Sequence, residues 1–185
     1  MGRVIELQTE RLFLRQWLSE DRPNFAKLNA DPDVMEYYPN VLSTEESDAM
    51  AQKIESLIAK RGWGLWAVEL IEKKSFIGFV GLHEPTYDLP VTPCVEIDWR
   101  LAKGYWGKGY ATEAANAALG FAFTGLNLSE IYSFASVSNW KSLAVMERLG
   151  MINTKNNFEH PMISQNHPLS EHALYKISQR KWAKK

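Results

Sequence analysis

A single cysteine, Cys94, stands in a chain of 185 residues, which excludes an internal disulfide and suits a reducing compartment. Its place in a predicted strand marks it as a small core residue rather than a reactive thiol. Long hydrophobic runs are missing too, and no stretch approaches the ~20 apolar residues that a membrane-spanning helix needs. Charge of one sign is not in excess: 21 Lys and Arg against 22 Asp and Glu leave a net charge of −1. Nothing global therefore draws the chain to nucleic acid or an anionic membrane. Met1-Gly2-Arg3-Val4-Ile5-Glu6 has no signal-peptide apolar core, and Glu6 spoils a myristoylation match, so the expectation is a soluble, cytoplasmic protein. Repeats, low-complexity tracts and linkers are absent. The apolar share of 45% and charged share of 23% are those of an ordinary globule. The length predicts one domain over residues 1–185.

What is present centres on residues 99 to 113, Trp-Arg-Leu-Ala-Lys-Gly-Tyr-Trp-Gly-Lys-Gly-Tyr-Ala-Thr-Glu. An apolar strand from Val95 to Leu101 runs into a loop with Gly104, Gly107 and Gly109, and an alanine-rich helix follows. Glycines at such a turn admit positive φ and close approach of a ligand. The first helical amides lack internal partners and lie at the positive end of the helix dipole, so they suit a pyrophosphate. A P-loop would need Gly-x-x-x-x-Gly-Lys-Ser/Thr, which does not occur. A dinucleotide fingerprint needs a third glycine where Thr112 stands, which disfavours NAD or ATP. The alternative is a glycine-rich turn with no ligand.

The run Gly107-Lys108-Gly109-Tyr110-Ala111 resembles the acyl-coenzyme A loop of the GNAT N-acetyltransferases, Gln/Arg-x-x-Gly-x-Gly/Ala. Gly109 and Ala111 fall on its last two fixed positions. Trp106 replaces the usual Gln or Arg, a departure shared by the ribosomal-protein-acetylating (Rim-type) branch. Thr-Glu-Arg-Leu-x-Leu-Arg from Thr9 to Arg15 is similar to the opening strand of that branch. Asn139-x-x-Ser142, followed by Glu147-Arg148-Leu149-Gly150-Met151, resembles the second GNAT signature at the right distance from the first. The resemblance covers roughly residues 7 to 182. It implies an α/β (α+β) fold, with a mixed, mostly antiparallel sheet of six to seven strands flanked by about four helices. Acyl-CoA would lie in a splay between the two central strands.

Along the chain, Thr9 to Arg15 alternates, with Leu12 and Leu14 on one face and Arg11, Phe13 and Arg15 on the other, which predicts a strand. Ser19 to Asn29 predicts a short helix with Ser19 as N-cap and an early Pro23. Ser43 to Glu46 is a capping box opening a helix to about Arg61, with Gly62 at its end. Leu65–Ile71 and Phe76–Leu82 predict a hairpin in which Gly78 and Gly81 mark a bulge or close backbone approach. A helix from Gly109 to about Phe123 carries Ala111, Ala115, Ala118 and Ala122 as a smooth stripe. Glu130–Ser136 predicts a strand, and His172–Ile177 a last one. The resemblance makes Tyr37, Tyr38 and Trp63 acceptor-side candidates, core packing being the alternative. His160, His167 and His172 are not preset by a helix or a Cys pair, so no metal is expected. Their loop is read as shaping the acceptor pocket or a dimer contact, the protein being a monomer or homodimer.

Acyl transfer needs a held cofactor, a polarised carbonyl and a neutral amine. The amides from Gly107 through Lys108, Gly109, Tyr110 and Ala111 to Thr112 would take the pyrophosphate of acetyl-CoA. By the resemblance, backbone groups of Trp99, Arg100 and Leu101 pair with the pantetheine arm, a strand amide at or near Leu101 meets the thioester carbonyl, and Asn139 and Ser142 hydrogen-bond the arm. Near neutral pH roughly a tenth of an α-amine is unprotonated, against a few in ten thousand for lysine. Strand alternation puts Glu96, Asp98 and Arg100 on one face, which should line a wet cleft, since three charges do not face a dry core. Glu96 or Asp98 is the candidate base; mutual satisfaction of the charges is the alternative. Met146 stands where many family members have an acidic tyrosine, leaving Ser142 or Tyr132 as substitutes. The acceptor would be a protein N-terminus or a small amine. A non-catalytic acyl-CoA-binding module is the other reading.

Overall fold

Leu12 and Leu14 drive one early strand inward, and Arg15 follows them. The computed structural model describes residues 4–184, so Met1, Gly2 and Arg3 of the segment read for a leader lie outside the described residues, as does Lys185. The chain divides into two units, one running to Leu82 and resuming over Asp98–Ala118, the other holding His83–Ile97 and the chain from Leu119 onward.

In the first unit, β1 (Leu7–Gln8), β2 (Leu12–Arg15), β3 (Leu65–Leu70) and β4 (Ser75–His83) follow one another in antiparallel order. The later half of β5 (Glu96–Leu101) lies beside β4, where the Ala102 N–H donates to the Ile77 carbonyl at 2.9 Å. Leu12 and Leu14 are fully buried. Arg15 is buried as well, because its guanidinium clasps Asp21 through both Nη atoms at 2.8 and 2.9 Å and donates from Nε to Glu69 at 2.7 Å. Two carboxylates compensate one desolvated charge. Ser19 is not an N-cap: it opens a one-turn 3-10 helix, Ser19–Asp21, that carries Asp21 to Arg15, and α1 (Arg22–Ala30) starts after it. The capping box forms as expected at the head of α2 (Thr44–Arg61), with reciprocal Ser43–Glu46 bonds and Gly62 at φ +82°.

The close approach expected of β4 occurs. A Cβ on Gly78 would stand 2.1 Å from the Arg100 carbonyl oxygen, and one on Gly81 would stand 2.0 Å from that of Gly64. The sheet register shifts between Val68 and Glu69, opposite Gly78. Gly78 thus lets β5 sit tight against β4.

In the second unit the start of β5 runs parallel to β6 (Glu130–Ser136), with Glu96 opposite Tyr132. β6 pairs antiparallel with β9 (Glu171–Ser178), and the short β7 (Ile152–Asn153) and β8 (Phe158–Glu159) also pair with β9. Helix α3 (Tyr110–Thr124) begins in the first unit and ends in the second; α4 (Trp140–Arg148) and α5 (Gln179–Trp182) belong to the second. The sheet is mixed and mostly antiparallel, and five helices accompany it among the described residues. The surplus over the expected elements is β1, β7, β8 and α5, all too short to show a period. Among the described residues no helix is long and apolar enough to cross a membrane.

Gly78→Ala should cost about 2 kcal/mol or more, since it adds a clash to a φ of +141° that side chains rarely adopt. Thermal unfolding checks this, with a Tm loss of roughly 5 °C or more expected.

Candidate active site

The chain leaves β5 through a one-turn 3-10 helix, Lys103–Tyr105, and reaches α3 through Gly107 at φ +72° and Gly109 at φ +80°. Gly107, Lys108 and Gly109 are exposed, and a Cβ on Gly107 would meet nothing within 4 Å. The turn is open, with the unpartnered first amides of α3, at Tyr110, Ala111 and Thr112, behind it. Ala114, Ala115, Ala118 and Ala122 of that helix are fully buried. Trp106, half-buried, donates its indole N–H to the Leu101 carbonyl at 2.7 Å and so ties the loop to the strand it came from. Lys108 folds back, its ammonium on the Gly104 carbonyl at 3.0 Å and over the Tyr105 ring.

A brace unforeseen in the sequence holds this turn. Arg11 donates from Nη1 to the Lys108 carbonyl at 3.0 Å and pairs through Nε with Glu113 at 2.7 Å, while its guanidinium lies over the Tyr110 ring. The Arg11 N–H and the Thr9 hydroxyl donate to the other Glu113 oxygen at 3.0 and 2.6 Å. Burial raises the Glu113 pKa, but these bonds outweigh it and hold the carboxyl below its ordinary range. The Thr-Glu-Arg opening and the Glu after Ala-Thr were both visible; only their pairing was not.

On β5, Arg100 is buried and Asp98 and Trp99 are half-buried. The wet face expected of Glu96, Asp98 and Arg100 therefore holds only at Asp98, because Glu96 is 7% exposed and Arg100 8%. Arg100 is received by polar groups that the helix patterns concealed. Its Nη1 donates to Asn29 Oδ1 at 2.7 Å, and Asn29 Nδ2 donates to the Ser47 hydroxyl at 2.9 Å. The guanidinium lies over Tyr38, at 4.2 Å from the ring centre. Asp98 accepts from the Trp99 N–H at 2.7 Å. Burial lifts its carboxyl above the ordinary range, with Arg100 and that N–H pulling the other way. On the edge facing away from β4, the Trp99 N–H and the Leu101 carbonyl are thus already engaged. Trp63 is half-buried with Arg61 over its ring, and Tyr37 is half-buried.

In the second unit, Asn139 caps α4, its Oδ1 accepting from the Ser142 N–H at 3.1 Å, and both residues are half-buried. Met146 is buried and has no proton to give. Tyr132 is a poor substitute: its hydroxyl donates to Glu130, and burial together with that bond raises its pKa to about 12. The Ser133 hydroxyl, also unforeseen, bonds the Ile97 carbonyl at 3.0 Å. Cys94 is half-buried, with its thiol pushed up to about 11 by burial and the Glu96 charge.

The three histidines form no metal cluster among the described residues. His160 and His172 pack with ring centres 4.8 Å apart and planes tilted by 44°, next to Phe134 and Phe158, and His160 also meets Tyr87. His167 instead accepts from the Leu169 N–H within the loop. Burial, then the neighbouring His172, pushes His160 down to about 4; burial lowers His172 too, against the pull of the Ser170 carbonyl and Glu159. The folded state then binds fewer protons than the unfolded chain. The stability these rings lend is complete above about pH 6.5 and is lost as pH falls toward about 4. Thermal melts should lose on the order of 1–2 kcal/mol between pH 7 and pH 5, and His160→Phe should flatten that slope.

A family model described as an acetyltransferase (GNAT) domain matches residues 11–152. The uncharacterized N-acetyltransferase YnaD of Bacillus subtilis is 28% identical over 96% of this chain and 99% of its own. A crystal structure of a GNAT-family acetyltransferase from Bacillus anthracis superimposes with a TM-score of 0.79 at 26% identity, covering 95% of this chain and 99% of that one. The spermidine N-acetyltransferase of Vibrio cholerae, solved in complex with CoA and spermine, gives a TM-score of 0.73 at 25% identity over 95% and 99%.

Proposed function

The chain belongs to the GNAT acetyltransferase family, and from that footing we propose that it transfers an acetyl group from acetyl-CoA to a primary amine by direct attack. The observation that carries the reading is the exposed Gly107–Gly109 turn at the head of α3, braced by Arg11. The N–H groups from Gly107 to Thr112 take the pyrophosphate oxygens, at the positive end of α3. The Trp99 carbonyl and the Leu101 N–H, on the edge of β5 facing away from β4, pair with the pantetheine arm and polarise the thioester carbonyl. In the second unit Asn139 Oδ1 is occupied by the cap of α4, so the donors that end of α4 offers a ligand are the Asn139 amide N–H groups and the Ser142 hydroxyl. The two units work as a single acetyltransferase domain, in the cytoplasm.

Asp98 is the better candidate base. It is half-buried and burial raises its carboxyl above the ordinary carboxylate range, whereas Glu96 is buried. The attacking amine loses its proton to Asp98 as the C–N bond forms. The C–S bond then breaks, and the thiolate leaves without a dedicated acid, as a thiol of pKa about 8.5 permits. The acceptor is a small amine or a protein N-terminus, as in the Rim-type branch.

Acetyl-CoA should raise the Tm of the purified protein, and Gly109→Glu should abolish that shift. Arg11→Ala or Glu113→Gln should weaken acetyl-CoA binding about tenfold in calorimetric titration. Absence of any shift with acetyl-CoA would contradict the reading; binding without CoA release over an amine panel would reduce it to a non-catalytic module.

Asp98→Asn should lower kcat/KM by at least about a hundredfold. The acidic limb of the wild-type pH profile should lie above the ordinary carboxylate range, because burial holds Asp98 protonated there. A limb that survives in Asp98→Asn would assign it to another group.

A further inference from the structure

Two arginines are buried in the first unit, and they are treated differently. Arg15 is surrounded by two carboxylates and the Gln16 carbonyl. Arg100, 8% exposed, has one oxygen acceptor, Asn29 Oδ1, and a long contact from the same Nη1 to Met50 Sδ at 4.0 Å. Its Nε is sealed from solvent without a hydrogen-bond partner. Among the described residues no ion pair reaches this guanidinium. A buried cation with an unsatisfied donor is a costly arrangement that packing does not require. Phe79 and Tyr38, with ring centres 5.4 and 4.2 Å from the guanidinium carbon, set its plane. The Ser47–Asn29 pair pins one end. The donor shown to be left over is Nε, on the side of a guanidinium whose Nε–Nη2 fork matches a carboxylate bidentately.

Asp98 precedes Arg100 by two residues on the same face of β5, a strand rise of about 6.6 Å. One carboxylate and one guanidinium at that separation complement a molecule with an amine at one end and an anion at the other. α1, the segment with Tyr38, and α2 supply the walls around Arg100.

We propose that Arg100 is an acceptor-specificity residue: the amine acetylated by this protein is a small one carrying a carboxylate, whose entry gives the unpartnered Nε side of the guanidinium its acceptor while its amine faces Asp98. This rests on the acetyltransferase reading for the role of Asp98, but not for the anion site itself. It separates the chain from a polyamine acceptor, whose every charge is positive and would meet a fixed cation here.

The test is calorimetric titration of the CoA-loaded protein with ω-amino acids of two to six carbons, each beside its primary amide, and with spermidine. At least one acid should bind tenfold or more tighter than its amide and be acetylated in preference to spermidine. Arg100→Gln should erase the preference while acetyl-CoA affinity and Tm stay the same or Tm rises; Arg100→Lys should restore part of it. Equal binding of acids and amides, no binding by any acid, or preferred turnover of spermidine overturns the proposal and leaves the acetyltransferase standing. A lowered Tm in Arg100→Gln with the acid preference intact would also overturn it, by making Arg100 structural. Should CoA fail to bind, the acetyltransferase reading fails, and the same titration of the unloaded protein still judges the anion site.

Discussion

The amides at the head of α3 have no partners within the helix, and the turn that leads to them is exposed and held in place from both sides. Two glycines at positive φ turn the backbone without side chains that would cover it. The Trp106 indole ties the loop back to β5, and Arg11 holds it from the other side through the Lys108 carbonyl. A loop that must present several N–H groups to one anion gains affinity when its geometry is set beforehand, because less ordering is left to the binding step. That is the physical sense of spending a partly buried Arg–Glu–Thr cluster on the first turn of a helix.

The buried charges of the first unit divide along the same line. Arg15 is matched and serves the fold. Arg100 is held by an amide and two rings, and a compensated charge or an apolar residue would stabilise that place better. Departures from the rule that buried donors are satisfied cluster where a protein binds something. Asp98, raised by burial against the pull of Arg100, stands two residues before it on the same face of β5.

Local signals were legible and distant pairings were not. The capping box at Ser43 and Glu46, the close approach at Gly78 and Gly81, the burial of Leu12 and Leu14 and the glycine turn itself are all written within a few residues of each other. The brace joins Arg11 to Glu113 across 102 positions, and Arg100 meets Asn29 across 71; one sequence without relatives carries no trace of either. Alternation alone turns Arg15 outward, because it cannot register a carboxylate arriving from a following turn. Ser19 suits a cap by residue type, whereas the buried Asp21 decides the local geometry. The expected wet face fails at Arg100 because helix residues and rings cover what strand alternation alone would leave open, and Glu96 is buried too. The pairing of β8 with β9, which brings His160 against His172, rests on a two-residue strand below any periodic signal.

Amide hydrogen exchange over residues 104–113, with and without acetyl-CoA, tests the central claim most directly. Protection should rise at Lys108, Gly109, Tyr110, Ala111 and Thr112 on adding the cofactor, with smaller changes toward the far end of α3. Unchanged exchange across that turn at saturating acetyl-CoA would contradict the account.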